Sequence, residues 1–396
     1  MILAGKPENP LIFLVAGEPS GDILGARLMA ALRRRLDGQV RFAGVGGNRM
    51  AAEGLESLFP MSELSVMGLA EILPRLPHLL KRIRQTADLA ERLRPDIFIT
   101  IDSPDFSFRV ARRLKGKGFP LVHYVAPSVW AWRPGRARKL SKFLDHVIAL
   151  LPFEPPFFEK VGLPCTFVGH PVIEGGADAG DGAAFRKRYG ISSQTPVVCV
   201  LPGSRIGEIR RHLPIFEETV QRLGYSRPGL VALVVAVEEH ADEIFDACKN
   251  WPVLTQEISD SSEEKFDAFA AADVALAASG TVSLELAMAG TPAVIAYKMN
   301  LITGWIARLL IRVPYVNLIN LVLIRPAVPE LLLEQCRPRK LTEAVAGLLD
   351  DETLRHTQLE SAAEALDLLG RNGPSPSERA AEVVMNFLNK PPEGGV

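Results

Sequence analysis

The chain has few cysteines and almost no excess of charge of either sign. Its 396 residues include four cysteines, Cys165, Cys199, Cys248 and Cys336. None of them belongs to a CxxC pair or to a spacing typical of metal ligands. We therefore expect neither a disulfide framework nor a metal site, and we expect the protein to be located in a reducing cytoplasm. The formal net charge of −1 gives no general reason to expect a nucleic-acid partner.

Long apolar runs are also absent. Residues 1–10 are too short and too polar for a secretory leader, so we expect the mature chain to start there. The most apolar region, residues 301–324, is interrupted by arginine, proline and asparagine. It falls short of the roughly 20 apolar residues that a spanning helix needs. We expect this region at most to lie on a membrane surface.

Apolar strands alternate with helical patterns along the chain. In the first half, strands are predicted at residues 11–15, 40–45, 97–101, 121–125 and 146–150, and helices near 22–35, 77–93 and 106–115. In the second half, strands are predicted at residues 197–201, 230–237, 274–278 and 293–297. This order predicts the α/β class, with doubly wound parallel sheets covered on both faces.

A segment rich in Gly, Ala and Asp, residues 174–182, has the composition of a linker. We therefore predict an N-terminal Rossmann-like domain over residues 1–173, a C-terminal one over 174–370 and a helical tail over 371–396. Residues 371–377 break that tail, which leaves a final helix able to dock elsewhere. We expect the two domains to face a cleft, with ligands at the carboxyl ends of the strands.

Two segments of the second half have the pattern of a strand, a phosphate-binding loop and a helix. After the apolar strand 197–201, a turn would leave backbone N–H groups free, and the next helix start favours an anion. Residues 279–281 form a second such loop. The residues that we predict to hold a nucleoside diphosphate are Gly203, Ser204, Arg205, Ser279, Gly280, Thr281 and Glu285.

Some titratable residues of this half have more than one interpretation. Glu285 accepts hydrogen bonds from ribose hydroxyls or only stabilises the first turn of its helix. For Glu208 we prefer first-turn stabilisation or orientation of Arg205 to direct chemistry. The histidines form no cluster at hydrolase spacing, and we expect His123, His170 and His212 to be mostly structural.

The first half carries polar residues at its predicted strand ends. Asp102 follows the strand 97–101 directly, and a partly desolvated carboxylate there could act as a general base. The structural alternative is that Asp102 or Asp105 caps the next helix. The loop 17–22 either binds a ligand or caps its helix through Ser20 or Asp22, and the glycine-rich segment 44–47 is similar.

Three further segments suit either a ligand or a plain structural role. Trp130 and Trp132 line a pocket for a sugar or acyl group, or they anchor their loop to the core. A basic run follows them and consists of Arg133, Arg136, Arg138 and Lys139. It either binds an anionic substrate or phospholipid headgroups, or forms a solvated helix face. Residues 65–84 combine apolar and cationic side chains, which favours contact with a membrane or acyl chains over a core-facing helix.

Seven motifs spread over nearly the whole chain resemble those of the lipid-A-disaccharide synthases, inverting glycosyltransferases of the GT-B fold. They are residues 16–22, 66–73, 101–106, 123–133, 151–154, 201–205 and 278–285. The resemblance implies transfer of 2,3-diacylglucosamine from UDP-2,3-diacylglucosamine to 2,3-diacylglucosamine 1-phosphate (lipid X). The products are the β-1,6-linked disaccharide and UDP. No metal and no cofactor are implied.

The resemblance also implies roles for individual residues. It makes Asp102 the candidate base for the acceptor 6-hydroxyl, and it adds Asn320 to Arg205 and Glu285 as a UDP-binding position. The residues on the acceptor side are Glu18, Ser20, Gly21 and Met67. The sequence departs from the usual family pattern at Ser107, where asparagine is common, and at residues 318–320, where Leu-Pro-Asn is usual.

Location and partners follow from the same resemblance. We expect peripheral association with the inner face of the inner membrane and a final helix that returns to the N-terminal domain. A homodimer is one candidate for the oligomeric state. Two alternatives stay open at this point. One is a UDP-N-acetylglucosamine 2-epimerase, which shares the fold but has soluble substrates, and the other is a non-catalytic lipid-binding protein.

Overall fold

A computed structural model describes residues 9–64, 69–131, 135–300 and 313–389, with residues 69–75 described by their backbone alone. The chain forms two compact units. The first contains Met1–Pro171 and Asn372–Val396, and the second contains Val172–Arg371. Each unit is built on its own parallel six-stranded sheet, as the predicted α/β class requires.

The first unit has the strand order β2-β1-β3-β4-β5-β6. Its strands are β1 (Leu11–Ala16), β2 (Arg41–Val45), β3 (Ile97–Ile101), β4 (Leu121–Tyr124), β5 (His146–Ala149) and β6 (Cys165–Phe167). Its helices are α1 (Pro19–Arg35), α2 (Asn48–Ala52), α3 (Leu69–Leu93), α4 (Pro104–Leu114), α5 (Gly135–Leu140) and α6 (Pro155–Glu159), with a 3-10 turn at Met61–Glu63. Helix α3 begins at Leu69 rather than at the predicted residue 77.

The strands β1 and β3 are almost entirely apolar because helices cover both faces. Every residue of β1 and β3 is buried. Successive side chains point to opposite faces, so Phe13 stacks on Phe98 on one face at 5.2 Å between ring centroids. Ile12 and Leu14 belong to the core of the other face. This double coverage places the strand ends, and not the sheet faces, within reach of a ligand.

The second unit has the strand order β12-β11-β10-β7-β8-β9. Its strands are β7 (Val197–Leu201), β8 (Val231–Ala236), β9 (Leu254–Ser259), β10 (Val274–Ala278), β11 (Ala293–Tyr297) and β12 (Glu330–Leu332). Its helices are α7 (Gly182–Arg188), α8 (Ile206–Ser226), α9 (Ala241–Cys248), α10 (Lys265–Ala271), α11 (Val282–Met288), α12 (Leu318–Leu323), α13 (Pro338–Asp350) and α14 (Glu352–Leu368). Short 3-10 turns lie at Pro171–Glu174, Ala177–Ala179 and Glu238–His240.

The last helix, α15 (Pro376–Leu388), packs against α1 in the first unit. Its Ala380 and Val384 are fully buried in the same core cluster as Leu28 of α1. At its start, Glu378 forms ion pairs with Arg34 at 2.6 Å and Arg35 at 2.9 Å. The predicted return of this helix to the N-terminal domain is therefore confirmed.

No helix within the described ranges is both long and apolar enough to cross a membrane. The same ranges contain no group of three or more His, Cys, Asp and Glu side chains that could hold a metal ion. All four cysteines are buried as free thiols.

Candidate functional site

Asp102 lies at the carboxyl end of β3, between the ends of β1 and β4. Its backbone N–H donates to the carbonyl of Tyr124 at 3.0 Å. Asp102 has φ +51° and Ser103 has φ +44°, so two successive non-glycine residues have left-handed backbones. Such conformations are strained and are concentrated at functional sites. The backbone thus holds a half-buried carboxylate at the strand end at a conformational cost.

The alternative that an aspartate caps α4 is wrong. Ser103 is the N-cap residue of this helix, and no side chain accepts a capping hydrogen bond there. Instead, the hydroxyl of Ser107 donates to the backbone carbonyl of Asp102 at 2.9 Å. Ser107 is fully buried, and its hydrogen bond supports the turn that presents Asp102. At this position the family pattern usually has asparagine.

The loop between β1 and α1 packs closely against Asp102 and Ser103. The Ser20 hydroxyl donates to Oδ2 of Asp102 at 3.3 Å. A Cβ atom on Gly17 would lie 2.5 Å from the Ser103 hydroxyl, so only glycine fits there. Glu18 and Gly21 lie on either side of Ser20 in the chain. The structure therefore gathers these three acceptor-side candidates and the candidate base at one sheet edge.

Asp22 has a structural role that differs from the predicted one. Glu18, and neither Ser20 nor Asp22, is the N-cap residue of α1, and it makes no side-chain capping bond. The buried carboxylate of Asp22 accepts the N–H groups of Gly47 at 2.8 Å, Arg49 at 2.9 Å and Met50 at 3.1 Å. Asp22 thus caps α2 and holds the segment 44–47 in place.

A buried carboxylate fixes the loop that follows β4. Glu154 is 3% exposed and accepts the indole N–H of Trp130 at 3.1 Å. Its other oxygen accepts the backbone N–H groups of Leu150 at 3.1 Å and Leu151 at 3.0 Å. Burial raises the pKa of Glu154 to about 7. Trp130 therefore anchors its loop, while Met67, Trp132 and Arg133 lie outside the described residues.

His123, His170 and His212 are buried, as expected for structural residues. Burial lowers the pKa of His123 to about 3 and that of His170 to about 4. Nδ1 of His212 donates to the carbonyl of Pro202 at 2.8 Å, and Nε2 accepts the N–H of Lys298 at 2.9 Å. A neutral His212 thus ties the loop after β7 to the end of β11.

The loop after β7 has the features of an anion site. Gly203 has φ +125°, a backbone that L side chains rarely adopt. Arg205 is the N-cap residue of α8, and its guanidinium is 65% exposed. Buried Glu208 accepts from this guanidinium at 3.2 Å and from the Tyr297 hydroxyl at 2.8 Å. Glu208 therefore orients Arg205, in agreement with our preferred interpretation.

The second predicted loop lies beside the first because β10 and β7 are neighbours. Residues 279–281 connect β10 to α11, and the Ser283 hydroxyl donates to the carbonyl of Gly280 at 2.9 Å. Glu285 in the first turn of α11 forms an ion pair with Lys265 at 2.8 Å. Sequence reasoning missed Lys265, which lies on another helix and belongs to none of the motifs.

Asn320 is buried in α12, and all donor and acceptor positions of its side-chain amide form hydrogen bonds within its own unit. Nδ2 donates to the carbonyl of Val328 at 2.8 Å and to Glu330 at 2.6 Å. Oδ1 accepts the N–H groups of Ala327 and Val328, both at 2.8 Å. An amide has two donor hydrogens and two acceptor lone pairs. A side-chain contact between Asn320 and UDP would therefore replace one of these bonds.

Two solved structures have the same fold. The S. aureus MnaA-UDP co-structure superposes with a TM-score of 0.64 at 14% identity, covering 98% of this chain and 100% of that one. Acinetobacter baumannii MurG superposes with a TM-score of 0.57 at 14% identity, covering 96% and 99%. Two parallel α/β units with polar loops at their strand ends are the architecture of the GT-B fold, and this chain is of that fold class.

Sequence comparison identifies the family within that class. The family model described as lipid-A-disaccharide synthetase matches residues 12–384. The lipid-A-disaccharide synthase of Rhodospirillum centenum is 55% identical over 382 residues, which cover 96% of this chain and 95% of that protein. The chain therefore belongs to the lipid-A-disaccharide synthase family.

Proposed function

We propose that the protein transfers 2,3-diacylglucosamine from UDP-2,3-diacylglucosamine to the 6-hydroxyl of 2,3-diacylglucosamine 1-phosphate. The observation that carries this assignment in the structure is the strained strand end that presents the Asp102 carboxylate beside the Ser20 hydroxyl. Family membership supports a transferase over the epimerase and over a non-catalytic protein.

Asp102 acts in this proposal as the general base. Its carboxylate accepts the proton of the acceptor 6-hydroxyl while that oxygen forms a bond to the anomeric carbon of the donor. The bond between the anomeric carbon and the diphosphate oxygen breaks, and UDP leaves with its electron pair. A single displacement of this kind inverts the configuration and gives the β linkage.

The second unit holds the donor and stabilises the departing diphosphate. The backbone after Gly203 and the start of α8 offer N–H groups and the positive end of a long helix. The exposed Arg205 guanidinium, oriented by Glu208, adds a forked charge that suits a diphosphate. These groups act where negative charge grows in the transition state, which lowers the barrier.

Glu285 is assigned to the ribose hydroxyls of the donor. In the structure its carboxylate is paired with Lys265, whose ammonium lies 5.3 Å from the Phe266 ring centroid. This pairing fixes the position of the Glu285 carboxylate and leaves lone pairs on its oxygens for two hydroxyl donors. Lys265 is thereby a positioning residue for the donor, one that the sequence motifs do not include.

The experiment that tests the function is release of UDP from UDP-2,3-diacylglucosamine in detergent micelles, with and without 2,3-diacylglucosamine 1-phosphate. We expect release to depend on the acceptor and the disaccharide 1-phosphate to form in equal amount. Release that is independent of the acceptor would indicate hydrolysis or epimerase-like chemistry. Binding of both lipids without any release would instead support the non-catalytic alternative.

We also propose that the protein associates peripherally with the inner membrane surface through the part of α3 around Leu76 and Leu80. In the described part of that helix, Leu76 and Leu80 are each 37% exposed. The exposed cations Lys81 and Arg84 follow them directly. Apolar side chains next to cations are typical of helices that bind anionic lipid surfaces.

Replacing both leucines should weaken this association. We expect Leu76→Gln/Leu80→Gln to reduce binding to vesicles of phosphatidylglycerol and phosphatidylethanolamine by about tenfold, because the polar side chains lose apolar burial. Sedimentation with the vesicles measures it. Leu93→Gln is the control, since Leu93 is 42% exposed at the far end of the same helix. Equal binding by both variants would contradict the proposal.

A further inference from the structure

The first unit contains a strongly basic cavity that the family comparison does not assign. It has a volume of about 600 Å³ and is lined by residues of α4 and α5. Its charged lining residues are Asp105, Arg109, Arg112, Arg136 and Lys139. Four cations and one carboxylate leave a formal charge of +3, in a chain whose net charge is −1. A concave surface of this charge concentrates anions.

Helical spacing explains why these side chains converge. The lining residues of α4 are three and four positions apart and so share one helix face: Asp105, Phe108, Arg109 and Arg112. The same spacing on α5 gives a second face: Arg136, Lys139 and Leu140. The two helices therefore contribute cations to the same cavity, with Phe108 and Leu140 as apolar lining.

Aromatic rings position two of the cations. The Arg136 guanidinium lies 5.3 Å from the ring centroid of buried Phe108. The Arg112 guanidinium lies 5.1 Å from the ring centroid of Phe143. Within the described ranges, Arg109, Arg112 and Lys139 form no ion pair with an acidic side chain. Ring stacking leaves the guanidinium N–H groups of Arg112 available to an anion in a fixed orientation.

The cavity begins next to the candidate base. Its lining includes Pro104 and Asp105, the first two residues of α4. Asp102 and Ser103 come immediately before them in the chain. A ligand that presents a hydroxyl to Asp102 therefore lies beside the start of this cavity.

We propose that this cavity binds the phosphate monoester of the acceptor lipid. This inference rests on the proposed function, which supplies an acceptor with a 1-phosphate. A phosphate monoester carries a charge of about −1.5 to −2 at neutral pH and has three strong acceptor oxygens. Several arginine and lysine donors around one cavity match that chemistry. Phospholipid headgroups are the other source of phosphate, but a phosphodiester has a single charge and lies on a flat membrane surface.

The test compares two acceptors with one double variant, Arg109→Gln/Lys139→Gln. These residues are exposed and have no ring contact in the described structure, so their loss should leave the fold intact. We expect the KM for 2,3-diacylglucosamine 1-phosphate to rise by at least about tenfold, because charge-assisted hydrogen bonds are lost. The KM for the same lipid without its phosphate should not change.

The matched control is Arg113→Gln/Lys142→Gln. It removes one exposed arginine of α4 and one exposed lysine just after α5, and neither residue lines the cavity. Its KM for both acceptors should equal that of the wild type. An equal rise with both acceptors in the Arg109/Lys139 variant would overturn the proposal. So would an unchanged KM combined with weaker binding to phosphatidylglycerol vesicles, which would assign the cavity to the membrane surface.

Calorimetric binding of the acceptor in micelles, without donor, separates this inference from the proposed function. If the wild type shows no transfer, the proposed function fails, but phosphate-dependent binding that is lost in Arg109→Gln/Lys139→Gln still supports the cavity. If the wild type transfers normally and the variant binds the acceptor as tightly as the wild type, the function stands and the cavity proposal fails.

Discussion

Asp102→Asn is expected to lower kcat for disaccharide formation by about 10²–10⁴-fold, the usual contribution of a general base. The amide cannot take the proton of the acceptor hydroxyl. Asparagine tolerates the left-handed backbone as well as aspartate does, and φ at this position is +51°. It also keeps an oxygen that can accept from Ser20. The KM for the donor should therefore stay near its wild-type value, because the donor is assigned to the other unit.

Asp37→Asn is the control for this variant. Asp37 is exposed and has φ +48°, so the same substitution is made on nearly the same backbone conformation, just beyond the last turn of α1. It should leave kcat and KM unchanged. Acceptor-dependent UDP release and circular dichroism measure activity and folding. A folded Asp102→Asn protein with undiminished kcat would place the base elsewhere.

Arg205→Gln is expected to lower kcat/KM for the donor by about 10²–10³-fold, the effect of removing one group that stabilises developing charge. Arg205 is exposed apart from its contact with Glu208, so its loss should leave the core unchanged. Glu208 keeps its hydrogen bond from Tyr297, which prevents a buried carboxylate from losing all its partners. The expected loss is therefore a loss of diphosphate stabilisation and not of folding.

Arg210→Gln on the same helix is the control for Arg205→Gln. Arg210 forms an exposed ion pair with Glu243 at 2.7 Å, and exposed pairs of this kind contribute little to stability. Steady-state kinetics at varied donor concentration should give wild-type values for this control. If both variants lose activity equally, general charge loss explains the result. If neither does, Arg205 has no role in donor binding.

Fold class could be read from the sequence because buried parallel strands have a simple signature. Residues 97–101, 274–278 and 293–297 are predicted as strands and form β3, β10 and β11 with the same bounds. Their residues are apolar almost without interruption because helices cover both faces. Among the edge strands, β2 was predicted, but β6, β9 and β12 were not; these three are only partly buried and carry polar residues.

The site residues could be nominated from the sequence because each follows a strand, but their partners could not. The partners of Glu154 and Glu285, Trp130 and Lys265, are separated from them by about 20 residues or more. Asp22 resembled a cap for its own helix and instead caps α2. Such pairings depend on which strands are neighbours in the sheet. The secondary-structure propensity of a segment does not specify that order.

The sequence by itself determined the two α/β domains, the strand-end loops and the family, because periodicity and motifs are local properties of the chain. Only the tertiary structure decided which loops share a sheet edge and which charged side chains form pairs. It placed the Ser20 hydroxyl within hydrogen-bond distance of Asp102 and paired Lys265 with Glu285. It also satisfied the side-chain amide of Asn320 with hydrogen bonds inside the protein. It also brought the cationic faces of α4 and α5 together around one basic cavity. The physical reason is that parallel strand order and helix packing set distances between residues far apart in the chain.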